Sequence, residues 1–524
     1  MRRFLALALL LPLSGSALAK PKNEPPPPPP PASAPAPSTK DAAKLEKART
    51  EAFAAYQQEL STGQKARAAD ALVELINDPA RAPFRAEALA KLGDLFYTLD
   101  LPYAALTAWV QAFEAADDTN VGEIGLSVPN AIAAAQKVGD MAALEKPFSK
   151  NFGLARTEDV RGEMAYLAAR EAFHDDSFGL ALAMLKMVKE GDPHYPDAKA
   201  LEGVILNQQG RPNDALTPFE SALKAGRDRD AKFKDLVALN TARSYYAAEN
   251  FPKAIAAYAV VSRGSDFWPE AQYERAWAHF RIDDLNGTLG ILMSLDNPFF
   301  EDWYYPEADL LRIYSMFLMC KFPQANIEIE QFATTYKPIH AALSAWGKKS
   351  PQESFELVRG YVKKGTYDPL PRSILRPYAS EERTLASIAA VESAEDELKR
   401  MKAVSANPFT EAARDWVTAR KDALIEQEGE RIGARIAAQE EQIGTMLGDT
   451  EIFTLDILRM KTMLYEQAAA TGKMAEAART VTREERLRKG WREWPYEGEV
   501  WADELGYYRV TAVPECPAGM RKGE

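Results

Sequence analysis

The 524-residue chain carries a net charge of −12 and a pI near 5.2, which argues against a nucleic-acid binder needing a broad basic face. Its 46% hydrophobic and 27% charged residues are ordinary for a folded globular protein, with ample material for a large core. Only two cysteines and four histidines occur, and no CxxC motif, so cysteine redox chemistry and zinc-finger spacing are not expected.

Residues 1–19 read as a secretory signal peptide: Arg2 and Arg3 form the charged start, Phe4 to Leu13 the apolar core, and Ala17-Leu18-Ala19 the cleavage site. The apolar run is short of the roughly 20 residues that span a bilayer. No cysteine follows it to carry a lipid. The expected compartment is therefore the periplasm or the exterior, with no membrane span in the mature form. Residues 20–40 include seven consecutive prolines, Pro25 to Pro31, and are expected to form a disordered polyproline linker.

Residues 41–347 carry a repeated amphipathic unit. An aromatic-Pro-acid-Ala start occurs at Tyr195-Pro196-Asp197-Ala198, Trp268-Pro269-Glu270-Ala271 and Tyr305-Pro306-Glu307-Ala308. Proline suits the first helical position, and the acid beside it suits the positive end of the helix. A small residue opening a second helix recurs at Ala181, Ala215, Ala254, Thr288 and Ala325, in steps of 34, 39, 34 and 37 residues. Earlier copies are expected at Ala105, weakly at Ala143, and at Ala71, which lies 34 residues before Ala105. A period near 34 with this pattern predicts stacked helix pairs, between about seven and nine of them.

The C-terminal third reads differently. Residues 348–377, rich in Lys, Gly and Pro, read as a connection with short helices. Long helices are expected over 379–402 and 410–447, joined by Asn407-Pro408 into an antiparallel hairpin, followed by separate helices over 451–470 and 474–488. Residues 348–489 thus form a long-helix domain. Residues 490–524 form an aromatic tail, in which Trp494, Tyr496, Trp501, Tyr507 and Tyr508 are expected to cap the helices or to dock a partner. Cys320 and Cys516 either pair, pinning this tail to the last repeat, or remain buried thiols.

In residues 86–119, Leu92-Gly93, Phe96, Ala105, Trp109 and Ala112 fall where tetratricopeptide repeats place Leu-Gly, Tyr, Ala, Phe and Ala. Gly203, Leu206, Gly210, Ala215, Phe219 and Ala222 repeat the pattern. The stretch 52–336 therefore resembles the tetratricopeptide-repeat family, which implies an all-α fold: a right-handed helical solenoid, here followed by a helical hairpin or bundle. In that family the first helix of each pair lines a peptide-binding groove. Carried over, the groove residues are Tyr166, Arg170, Phe173 and His174, then Val204, Asn207 and Gln208. They continue with Asn240, Arg243 and Tyr246, with Tyr273, Trp277, Phe280 and Arg281, and with Tyr314 and Phe317. Arg243 and Arg281 are expected to meet carboxylates of a bound peptide. An equal alternative is that the C-terminal helices fill this groove themselves.

The segment 268–336, with Trp494-Pro-Tyr-Glu-Gly-Glu, Trp501 and Gly506-Tyr-Tyr-Arg, is similar to the periplasmic tetratricopeptide proteins associated with gliding motility in myxobacteria. That resemblance implies partners among envelope proteins. No phosphate loop, GxSxG or HExxH is present, so neither an enzyme nor a cofactor is expected. The competing expectations are a chaperone-like carrier for outer-membrane proteins and a cell-wall enzyme or regulator with its site after residue 348.

Overall fold

The computed structural model describes residues 39–402, 406–471 and 504–516. Among them every regular element is helical, and no strand occurs. Residues 20–38 of the expected linker and the expected helix over 474–488 lie outside the described residues, as do Trp494, Tyr496 and Trp501, while Thr39 and Lys40 already belong to the first helix. The chain divides into two compact units, residues 1–95, 111–128 and 145–227 in one and 96–110, 129–144 and 228–524 in the other.

The repeat region comprises α1 (Thr39–Ser61), α2 (Lys65–Asn77), α3 (Arg85–Thr98), α4 (Pro102–Glu114), the single turn α5 (Val121–Ile124), α6 (Val128–Val138) and α7 (Ala142–Lys150). It continues with α8 (Glu158–His174), α9 (Phe178–Leu185), α10 (Tyr195–Gln208), α11 (Pro212–Ala225), α12 (Ala231–Ala247) and α13 (Phe251–Tyr258). It closes with α14 (Trp268–Arg281), α15 (Leu285–Leu295), α16 (Pro306–Leu318) and α17 (Phe322–Trp346). In the first unit α1 packs on α2, α8 on α9 and α10 on α11. In the second, α12 packs on α13, α14 on α15 and α16 on α17, while α13 touches α14 and α15 touches α16.

One local device sets the period. A left-handed residue stands at Gly63, Asp100, Gly139, Asp176, Gly210, Glu249, Asp283 and Cys320. At each, the next residue's N–H donates to a carbonyl five positions back, as in Leu101 to Phe96, Arg211 to Leu206, Asn250 to Tyr245 and Lys321 to Met316. This is the Schellman closure, which satisfies carbonyls left open at a helix end. Five residues after the left-handed position, a small residue donates its N–H to the carbonyl four back and starts the next helix: Ala105, Ala181, Ala215, Ala254, Thr288 and Ala325. All six side chains are fully buried.

The first copy corrects the sequence reading. Ala68, five residues after Gly63, is fully buried and makes that hydrogen bond to Gln64, whereas Ala71 is part-exposed. Counting back 34 residues from Ala105 fell three residues short because the first spacing is longer: 37 residues separate Gly63 from Asp100.

The second unit ends in α18 (Pro351–Lys364), α19 (Arg372–Ser380), α20 (Glu382–Met401) and α21 (Pro408–Thr471). The break expected between 447 and 451 is absent, since α21 is one helix of 64 residues. An interior glycine such as Gly448 costs only about 1 kcal/mol. Thr450 and Thr454 turn their hydroxyls back to the carbonyls of Leu447 and Thr450, and Phe453 and Ile457 are buried. Packing carries the helix through. Glycines let α21 come close to its neighbours: a Cβ at Gly429 would lie 2.0 Å from the Pro351 carbonyl oxygen.

A buried polar chain fixes the N-terminal half of α21. Glu397 accepts from the N–H groups of Tyr103 and Ala104, at 2.9 and 2.8 Å, at the start of α4. Tyr103 donates its hydroxyl to Asp140, and Arg420 donates to both oxygens of Asp140 at 2.8 and 2.7 Å. Phe96 packs against Phe409 and Trp416 of the same helix.

Two substitutions separate backbone strain from packing. Gly210→Ala meets no atom within 4 Å, so its expected cost of about 1–2 kcal/mol comes from the left-handed backbone alone. Gly203→Ala would place a Cβ 2.6 Å from the Phe219 ring, an overpacking cost of about 1–3 kcal/mol. Urea midpoints should fall in both, and a second change Phe219→Leu should rescue only Gly203→Ala. Arg420→Met strands the Asp140 carboxylate, which is 2% exposed, and should cost about 3–5 kcal/mol in the same assay. A midpoint shift near zero would show that this pair does not anchor α21.

Candidate functional site

The groove residues divide by unit. In the first, Tyr166 stacks on His194 at 4.9 Å between ring centres, and Arg170 reaches Glu145 at 3.1 Å. Phe173 packs against Phe178. Val204, Asn207 and Gln208 are half-buried on α10, and His174 is exposed. The surface hollow between α9, α10 and α11, about 360 Å³, is lined by Lys199 and Arg211. Each already has a carboxylate partner, Glu202 at 2.7 Å and Asp214 at 2.8 Å. Lys186 is the third cation on its wall.

In the second unit, Arg243 does not present its charge outward. Its Nη2 donates to Glu270 and to Glu274 of α14, both at 2.6 Å, and its Nε also donates to Glu274. The guanidinium fastens α12 to α14. Burial pushes the Glu274 carboxyl up and outweighs the opposing pull of Arg243. Glu270, expected as a simple helix-start acid, is thus also an ion-pair partner. Asn240 is spent on its own helix, donating to the Leu236 carbonyl. Tyr273 is 7% exposed and stacks on Tyr305.

Farther along, Tyr314 and Phe317 both pack edge-on against Phe453 of α21, at 4.5 and 5.8 Å. At α16, Tyr314 and Phe317 are thus covered by α21 of the same chain. Gln442 of α21 also donates to Glu307 at the start of α16.

Four groove residues keep partial exposure together: Tyr246, Trp277, Phe280 and Arg281. Trp277 meets Phe280 edge-on at 5.6 Å, and Tyr246 meets Phe251 at 5.3 Å. The Arg281 guanidinium lies over the Phe251 ring at 4.7 Å and the Tyr246 ring at 6.0 Å. Its ion partner Glu249, 3.7 Å away, is 76% exposed. The Tyr246 hydroxyl faces the Arg281 guanidinium, and the Trp277 indole faces the Tyr273 hydroxyl.

Phe251 escaped the sequence reading because it follows the turn and belongs to a second helix. Its signal was available: it lies two residues after the left-handed Glu249, where the chain folds back on Tyr246. Of the tail residues, Tyr507 is 69% exposed with Arg263 over its ring at 4.5 Å. Tyr508 packs against the core that includes Trp268 and Tyr258.

No family model matches this chain, and no curated protein matches it.

Glu307 offers a pH test of the α16–α21 contact. Burial raises its carboxyl from the ordinary 4.5 to about 7, against hydrogen bonds from its own backbone and from Gln442. The folded form therefore holds a proton that the unfolded chain has lost between these two values. Its contribution is fully present below pH 4.5 and is lost as pH rises through 7. The melting temperature should fall over that interval, and Glu307→Gln should flatten the fall. An unchanged slope in the variant would assign the pH dependence elsewhere.

Proposed function

We propose that this chain is a non-enzymatic, exported scaffold of the tetratricopeptide-repeat type, a helical solenoid that binds other proteins of the cell envelope. The observation that carries the reading is the strip of Tyr246, Phe251, Trp277, Phe280 and Arg281, half-buried aromatics with one guanidinium laid across them. Aromatic and arginine side chains at such a place suit a partner peptide that buries apolar groups and brings a carboxylate.

Three further features support the reading. Consecutive helix pairs joined by the same turn are what a repeat scaffold needs. A disulfide between Cys320 and Cys516 suits an oxidising compartment, in keeping with the signal sequence at residues 1–19. No helix among the described residues is long and apolar enough to cross a membrane. The resemblance to the periplasmic proteins of myxobacterial gliding motility makes an envelope-spanning motility complex the first place to look for partners.

A photocrosslinking residue placed at Phe280 in living cells, with mass spectrometry of the product, tests this directly. A discrete envelope protein should be captured, and Trp277→Ala should reduce its yield about tenfold, the equivalent of roughly 1.4 kcal/mol. Helicity should be unchanged, because Trp277 is only half-buried. Undiminished capture in Trp277→Ala would remove the strip from the binding surface.

A further inference from the structure

The tail 504–516 lies along α15 rather than across the end of the helices. Gly506 donates its N–H to Ser294 Oγ at 2.7 Å. Asn286 clamps a single residue of the tail: its Nδ2 donates to the Ala512 carbonyl at 3.2 Å and its Oδ1 accepts the Ala512 N–H at 2.9 Å. Between them the tail backbone touches Gly290, where a Cβ would lie 2.4 Å from the Tyr508 carbonyl oxygen. Asn286, Gly290 and Ser294 are four residues apart and share one face of α15. Leu505 is buried beside Trp268, and Gly506, at φ +81°, sits against the Trp268 ring. At the far end, Glu515 donates its N–H to the Met319 carbonyl, pairs with Lys321 at 2.7 Å, and leads into the Cys320–Cys516 disulfide.

These contacts have the chemistry of peptide recognition. An amide side chain reads backbone N–H and C=O together, a hydroxyl reads a second N–H, and an apolar pocket takes one side chain. Gly290 is the decisive residue. Glycine is a poor residue for a helix interior. The nearest atoms that a Cβ there would meet all belong to the tail, at Tyr508 and Arg509. The glycine accommodates the tail, not the helix packing.

We propose that the α14–α15 face is a second peptide-binding site, built for an open, non-helical segment of Leu-Gly-Tyr-Tyr character. Its resident occupant is this chain's own tail, and the Cys320–Cys516 disulfide locks it in place. Opening the lock takes a dithiol reductant. One of its thiolates attacks a sulfur of the Cys320–Cys516 bond and forms a mixed disulfide, and its second thiol displaces that sulfur. Two electrons and two protons pass to the protein, leaving Cys320 and Cys516 as thiols and the reductant as a disulfide. The face then accepts a segment of the same chemistry from another chain. This site is independent of the strip at Trp277 and Phe280.

The test uses the full chain carrying Leu505→Asp and Cys516→Ser, which removes the tail's anchor and its lock. The probe is a fluorescent peptide with the sequence of residues 504–516, its cysteine replaced by serine, read by anisotropy. Saturable binding is expected, about tenfold or more weaker when Gly290→Ala is added, and absent with the oxidised wild-type chain. Circular dichroism checks that each variant is folded, which Gly290→Ala should be because the three atoms nearest its added methyl are all tail backbone. A folded variant that binds no peptide, or binds it equally with alanine at 290, would overturn the proposal.

Discussion

A helix of 64 residues rises about 1.5 Å per residue, so α21 is a rod of roughly 96 Å. The second unit is organised on it. Phe409 meets Phe96 near one end, and Phe453 meets Tyr314 and Phe317 toward the other. The 44 residues between those contacts set them about 66 Å apart. In between, Arg431 ties α21 to Glu381 and Thr384 at the start of α20, and glycines admit α18 at close range. A rod held at these points cannot shift in register without breaking buried ion pairs, which is why α16 and the segments 96–110 and 129–144 keep fixed places beside it.

Much of the repeat region was legible because its cause is local. Proline at a helix start and a small residue after a turn act within a few positions of themselves, and they recur in the sequence as they do in space. The turn residue itself was less legible. Only three of the eight left-handed positions are glycine, and the others are Asp, Glu and Cys. Asp tolerates that backbone better than most residues, but Glu249 and Cys320 give no such signal. The register of the first repeat failed for a related reason, since 34 is the shortest spacing between these turns and five of the seven are longer.

The long C-terminal helices and the site were less readable because they depend on contacts distant in sequence. Nothing near Gly448 announces that Phe453 will be held by residues at 314 and 317. Likewise Arg243 looks like a ligand-binding cation until Glu270 and Glu274, on the next helix pair, are seen to enclose it. Tyr246, Trp277, Phe280 and Arg281, expected to line a groove, are partly exposed, whereas Tyr314 and Phe317 are covered by Phe453. What the sequence lacked was the distinction between groove residues that remain open and those that neighbouring helices cover.

The Cys320–Cys516 bond joins positions 196 residues apart. Tension applied between a point before Cys320 and a point after Cys516 therefore has a covalent short cut. The load passes from the turn after α16 directly to the tail and does not travel through α17 to α21. The covalent path bypasses those helices, so force reaches α21 only through its non-covalent contacts, such as Arg420 with Asp140 and Phe409 with Phe96.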